Sequence, residues 1–313
     1  MDIQSKIILI SGPTASGKSK LAVKIAKKIN GEIINADSMQ VYKQLKILTA
    51  RPSKKEQKNI KHHMYGIIDI DKNFSTGEWL KLAIKKIKEI KKKKKIPILV
   101  GGTGLYFQSL INGLVKIPII PLSIRNKVRL MQKKQGQIEF YKKLIKIDSN
   151  IKNKFDPNDV QRSIRAFEIK LFTKVSMYEW QDKTKPEFKD NEFLKIYVDF
   201  NREDLVKRIS LRTKKMIKEG ALREVERFLK LKIKKEKSIS KVIGIDELTQ
   251  YLNKKINLDE AEERISIKTR QYAKRQATWA RSRMMSWEKI SPAKFENYIK
   301  RLNKSSLKLD QLT

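Results

Sequence analysis

The sequence predicts an α/β fold: a P-loop core with a parallel sheet flanked by helices, into which an all-helical domain is inserted. Three observations carry this. Ile7 to Ser19 reads IILISGPTASGKS, an apolar β-run that stops in a glycine-bounded loop before a helix. Strand and helix patterns then alternate through the first third of the chain, the mark of a parallel sheet. Finally, residues 118–191 lose strand signals altogether, and a strand pattern returns only at Phe193–Phe200, FLKIYVDF.

In order, a strand at Lys6–Ile10 feeds the loop and a helix runs from Lys18 to about Ile29. Strands follow at Glu32–Asn35 and near Ile67–Ile70. Ser75 and Glu78 have capping-box spacing, and Trp79, Ala83, Ile87 and Ile90 behind them form a helical stripe suited to packing on the sheet. A strand at Ile96–Val100 and a helix from Leu105 complete the first half. The insertion, 118–191, is entered through the proline-bearing turn Ile117–Pro121 and left through the loop Asp182–Asn191, so the core comprises 1–117 and 192–313. Inside it, DVQRSIRAFEIKLFT at Asp159–Thr173 spaces Val160, Ile164, Phe167 and Leu171 as a buried stripe. Gln161 and Arg165 share a face of that helix, and either grip a nucleic-acid strand or are simply solvated. A C-terminal helix, roughly Asp259–Trp287, interleaves Arg and Lys with Tyr272, Trp279 and Trp287, equipment for phosphate contact and base stacking. Part of that aromatic set must be core. There are no internal repeats.

The 313 residues carry 72 Lys and Arg against 34 Asp and Glu, a net charge of +38. Such an excess points to a polyanionic partner. A Lys-, Ile- and Asn-rich composition also places lysine on solvated faces without function, and the run Lys91–Lys95 reads as a helix C-terminus favoured by cations. With no cysteine, the chain has no disulfide, no thiolate nucleophile and no cysteine zinc site. His62 and His63, the only histidines, read as loop residues satisfied locally rather than as a metal centre. No run approaches the roughly 18 apolar residues of a membrane span, and the layout of a secretory signal is missing. A cytoplasmic protein without a membrane partner is expected.

Gly12, Gly17, Lys18 and Ser19 match G-x-x-x-x-G-K-[ST]. The glycines allow the backbone to approach an anion, the helix N-terminus adds partial positive charge, Lys18 reaches outer phosphate oxygens, and Ser19 can ligate Mg²⁺. The pattern does not say which phosphate compound is held, and a strand-to-helix turn without ligand is the plain alternative. No acid closes the strand Ile96–Val100, which ends in Gly101-Gly102-Thr103, so nucleotide hydrolysis is disfavoured.

Three further segments complete a pattern: NADSMQVY at Asn35–Tyr42, VGGTGLYF at Val100–Phe107 and YAKRQATW at Tyr272–Trp279, with His62-His63 and QRSIR at Gln161–Arg165 also matching. Together with the P-loop they resemble the tRNA dimethylallyltransferase family, from about Lys6 to about Arg283. The resemblance implies transfer of a dimethylallyl group from dimethylallyl diphosphate to the exocyclic amine of the adenosine immediately 3′ of the anticodon, position 37. It implies that Gly12, Pro13, Thr14, Ala15, Ser16, Gly17, Lys18 and Ser19 hold the diphosphate, with Mg²⁺ on Ser19. Asp37 would take the amine proton, Thr103 would hydrogen-bond near the reacting groups, and Arg212 would bind the diphosphate. Their alternatives are a helix cap, a loop cap and a surface arginine. The implied tRNA contacts are Asp37, Ser38, Met39, Gln40, Thr103, Arg125, Gln161, Arg162, Ser163, Ile164, Arg165, Lys274, Arg275 and Gln276, with the insertion clamping the anticodon stem. The family suggests a monomer. Leu48, Arg51, Ile245, Ala277 and Ala280 depart from the family pattern. A small-molecule kinase and an RNA-binding module with a vestigial phosphate loop are the rival readings. The first leaves the basic insertion idle, and the second would be indifferent to Lys18→Ala and Asp37→Ala.

Overall fold

The computed structural model describes residues 3, 5–233 and 237–307. The chain divides into two compact units, Met1–Ile111 with Phe188–Thr313, and Asn112–Glu187.

The first unit is built on β1 (Ile7–Ser11), α1 (Lys18–Lys28), β2 (Gly31–Asn35), the short α2 (Lys54–Gln57), β3 (His62–His63), α3 (Thr76–Lys92), β4 (Ile96–Gly101) and α4 (Gly104–Asn112). The second unit contains α5 (Leu122–Ile147), α6 (Val160–Thr173) and α7 (Met177–Asp182). The first unit resumes with β5 (Phe193–Val198), α8 (Arg202–Lys218), α9 (Ala221–Lys230), α10 (Ile245–Leu252), α11 (Leu258–Arg283), β6 (Glu288–Ile290) and α12 (Phe295–Leu307).

The six strands pair in the order β3-β2-β4-β1-β5-β6, and every pairing is parallel. Buried on both faces, the central strands are continuous apolar runs, as parallel sheets require. Ile8, Ile10, Ile98 and Val100 face α1 and α12, whereas Ile7, Leu9, Ile34 and Leu99 face α3 and α4. Trp79, Ala83, Ile87 and Ile90 are all buried, behind a capping box closed by Ser75 and Glu78. A third apolar cluster joins Val41, Leu45 and Leu48 to α9, α10 and α11. Lys91 and Lys95 are structural, pairing with Glu192 at 3.3 Å and Glu32 at 3.0 Å.

Four sequence expectations are corrected. No strand forms at Ile67–Ile70. Gly66, at φ +58°, bends the chain, the Val41 carbonyl accepts both Ile67 and Ile68 N–H, and only a single bridge, Tyr42 to Ile68, remains. The edge strand is instead His62–His63, paired with Ile33 and Ile34, so these histidines are not loop residues. His63 Nε2 meets the buried Glu32 carboxylate at 2.7 Å. The C-terminal helix stops at Arg283, because Met284 leaves helical geometry, and Trp287 tucks into the core edge-on to Phe107, where it can stack on no base. In α6 the buried positions are Ser163, Ala166, Phe167, Glu168 and Ile169, while Val160 is exposed. Phe167 stacks on Phe140 of α5, 5.0 Å between ring centres, and that contact sets the helix phase.

Candidate active site

The sheet register brings Ser11, Gly101 and Tyr197 level, with Asn35 level with Val100. The chain therefore leaves β1, β2, β4 and β5 along one carboxyl edge, where ligands of open α/β sheets collect. The loop after β1 is the phosphate loop. Gly17 has φ +92° and Ala15 φ 62°, and a Cβ on Gly12 would press on the Val198 carbonyl and Ser16 Oγ at 3.0 Å. Ser16 Oγ is buried with no partner among the described residues, an orphan that an anion would satisfy. Lys18 Nζ donates to the Pro13 carbonyl at 3.2 Å, and Arg212 Nη1 donates to Thr14 Oγ1 at 3.2 Å. Burial pulls the Lys18 pKa down to about 8, partly countered by Asp37 and reinforced by Arg212. Burial likewise lowers Arg212, opposed by Asp37 and Glu56. Lys18 and Arg212, both desolvated beside the same loop, form a site suited to an anion.

The loop after β2 places the carboxylate. Buried Asn35 accepts the Asp37 N–H at 2.9 Å and donates to the carbonyls of Asp37 and Met64 at 3.0 and 3.1 Å. Trp79 Nε1 holds the Asn35 carbonyl at 2.9 Å. Asp37 Oδ1 accepts the Met39 N–H at 2.9 Å; no described residue donates to Oδ2. Thr103 Oγ1 accepts the Ser38 N–H at 3.0 Å and donates to Ser38 Oγ at 3.3 Å, tying the β4 loop to the β2 loop. Three phenols, Tyr65, Tyr106 and Tyr272, are kept neutral well above their ordinary range, chiefly by burial and further by the Asp37 charge.

Gln276 of α11 spans two of these loops. Its Oε1 accepts the Thr14 N–H at 2.8 Å and its Nε2 donates to the Gly102 carbonyl at 3.0 Å. Close packing demands glycine at Gly101, where a Cβ would collide with the Ala36 backbone, and at Gly104, where it would meet the Trp279 ring, while at Gly102 it would displace the Gln276 amide. Ser19 is exposed at the start of α1. Beside Pro13 lies a cavity of about 800 Å³ walled by Tyr197, Phe200, Ile209, Ala273, Ala277 and Ala280, with Lys274 and Arg281 among its charged residues.

The remaining expected contacts fall in several settings. Ser38 and Met39 are half-buried beside Asp37, and Gln40 Nε2 is spent on the Thr49 and Ala50 carbonyls at 2.8 and 3.2 Å. Lys274 and Arg275 are exposed, the latter over the Tyr272 ring. In the helical unit, Gln161 and Arg162 are exposed and Ile164 is half-buried, but Ser163 lies beneath the surface with its hydroxyl taken by Gln137. Arg125 and Arg165 approach the buried Glu168 at 3.9 and 3.5 Å, and Arg129 joins them at 3.6 Å. Arg129 and Glu168 escape sequence reasoning; the i,i+3 spacing of Arg165 and Glu168 was the available signal.

The departures from the family pattern have physical homes. Leu48 and Ile245 fill the third apolar cluster, and Arg51 laces its own loop through the Tyr42 and Lys43 carbonyls at 3.2 and 3.1 Å. Ala277 and Ala280 open the cavity. The 46–48 turn is held by Glu224, whose carboxylate accepts the N–H groups of Lys46, Ile47 and Leu48 at 2.7 to 3.0 Å.

Fold and site together define a P-loop α/β protein whose phosphate cradle and carboxylate share one sheet edge. The model of a family described as IPP transferase matches residues 40–283. A tRNA dimethylallyltransferase of Pelagibacter ubique (strain HTCC1062) is 74% identical over 313 residues, 100% of both chains. The crystal structure of a full-length tRNA isopentenylpyrophosphate transferase from Bacillus halodurans superposes with a TM-score of 0.69 at 30% identity, covering 98% of this chain and 99% of that one. A eukaryotic dimethylallyltransferase acting on tRNA superposes with a TM-score of 0.76 at 33% identity, covering 88% of this chain and 69% of that one. The chain belongs to the IPP transferase family.

Proposed function

We propose that this chain transfers a dimethylallyl group from dimethylallyl diphosphate to the exocyclic amine of the tRNA adenosine at position 37, immediately 3′ of the anticodon, giving N6-dimethylallyladenosine and diphosphate. The observation that carries this reading is the meeting, at one sheet edge, of an anion cradle with the carboxylate of Asp37, whose backbone is held by a buried asparagine.

The amine nitrogen attacks the first carbon of the allyl group, the carbon–oxygen bond to diphosphate breaks with its electron pair leaving on oxygen, and Asp37 receives the amine proton. An aromatic amine is a weak nucleophile, so orientation and stabilisation of the departing charge carry most of the rate. Ser16, Lys18, Arg212 and the N-terminus of α1 answer that charge. Tyr65 and Tyr272, neutral phenols near Asp37 and half-buried, offer donors and ring faces to a base that has left its stack, whereas Tyr106 is buried in the core against Trp79.

Mg²⁺ is the companion ion we assign to the diphosphate. In the P-loop pattern the hydroxyl after the lysine reaches the ion, and substrate phosphate supplies further oxygens. Ser19 would supply that hydroxyl, and the ion would offset diphosphate charge. The arginines around Glu168, three cations on one carboxylate, supply the positive surplus for the anticodon stem. No described helix is long and apolar enough to cross a membrane. A monomer working in the cytoplasm is the setting we assign.

The test mixes protein, Mg²⁺, dimethylallyl diphosphate and unmodified tRNA, then digests the RNA for mass spectrometry. An adenosine heavier by one dimethylallyl group is expected from wild type. Asp37→Asn should lower turnover by about 10²- to 10⁴-fold, the usual range for a positioned proton acceptor. Intact tRNA binding with no product from wild type would overturn the reading.

A further inference from the structure

Among the described residues, Gln276 is the one side chain hydrogen-bonded to both the phosphate loop and the loop of Thr103, and both polar atoms of its amide are used in doing so. The chain of contacts continues on either side. Arg212 holds the Thr14 hydroxyl at 3.2 Å, while Thr103 N–H donates to the Ala36 carbonyl at 3.2 Å and its hydroxyl bonds Ser38, next to Asp37. The partners lie 262 and 174 residues away in sequence, so no local turn substitutes for the bridge. A Cβ on Gly102 would displace the Gln276 amide from this position.

Resting on the transferase reading, we propose that Gln276 is a positioning residue: it staples the donor-holding loop to the base-holding loop and so fixes the distance between leaving group and proton acceptor. With both amide atoms turned inward, it acts through Thr14 and Gly102 rather than by touching RNA. The Thr14 N–H is thereby spent on protein, as is that of Ser16 on the Pro13 carbonyl at 3.2 Å.

Two variants test this, Gln276→Leu and Gln276→Glu, assayed in full-length protein with dimethylallyl diphosphate and an anticodon stem-loop. Q276L keeps the bulk and loses both bonds. Its kcat should fall about 10- to 100-fold, the scale of a small misplacement of reacting groups, with both KM values within about threefold of wild type. Q276E supplies a signature that bulk packing lacks. As a carboxylate it still accepts from Thr14 but faces the Gly102 carbonyl with no proton, which raises its pKa. As the neutral acid it remakes both bonds. The deficit of Q276E relative to wild type should therefore shrink by about fivefold or more between pH 8 and pH 5.5.

Unchanged kcat in Q276L, a defect confined to KM for RNA, or a Q276E deficit that is flat with pH would each overturn the staple. If Q276L melts below the assay temperature, the Q276E profile decides alone. Wild type inactive in the same run would instead overturn the transferase reading beneath it.

Discussion

The Lys18 ammonium is desolvated beside Arg212, and burial has brought its pKa to about 8 from an ordinary 10.5, against the opposing pull of Asp37. In the free protein its charge is lost as pH rises through about 8. Donor affinity should then weaken by up to about tenfold per pH unit above that point, and Lys18→Ala should bind weakly with no such step. Titration calorimetry with dimethylallyl diphosphate across pH 7 to 10 checks this; a flat wild-type profile would contradict it. The folded state holds this proton more weakly than the unfolded chain, so the ligand-free protein gains stability from this group between pH 8 and 10.5. At this scale the sequence was informative where chemistry is local. The residues of the phosphate loop announce themselves by spacing. Asn35 did not, because its task is to hydrogen-bond Asp37 and Met64, the second of which is brought near only by the β2–β3 pairing. Glu168 was hidden for a similar reason, since a carboxylate among arginines reads as a surface pair until α5 packs on α6.

Among elements, the tightest constraint is where β4 passes β2 and meets α11. A methyl group on Gly101 would strike the Ala36 backbone, which cannot swing aside as a side chain can. Gly101→Ala should cost about 3 kcal/mol, the upper part of the overpacking range, read as a shift in urea denaturation midpoint. Loss under about 0.5 kcal/mol would show the strands are free to part. In the helical unit, Arg129→Ala should weaken tRNA binding across all anticodon stem-loops and lower the salt slope by about one, as expected of a phosphate contact. An unchanged slope would leave Arg129 a structural partner of Glu168. Strands β1, β2 and β4 were legible as apolar runs bounded by glycine or polar turns. The two-residue β3 was not, since so short a strand has no period, and the end of α11 was set by Trp287 packing on Phe107 rather than by a stop signal.

For the whole chain, the charge of +38 and the single-edge convergence of loops after β1, β2, β4 and β5 describe one task, bringing a polyanionic RNA to a small anionic donor. A parallel sheet with its phosphate loop on a central strand puts both substrates within reach of a few loops, which is why segments as distant in sequence as Thr14 and Gln276 share a hydrogen bond. Sequence alone indicated the parallel sheet and the interruption by helices. It could not indicate which segments would touch, because that depends on strand order rather than on strand content. Direct displacement without hydrolysis ties diphosphate release to base modification, and single-turnover release of diphosphate measures that coupling. With dimethylallyl diphosphate and Mg²⁺, release should be negligible until an anticodon stem-loop bearing the target adenosine is added, and should then equal the modified adenosine one for one. Release without RNA, or in excess of modified base, would contradict the account.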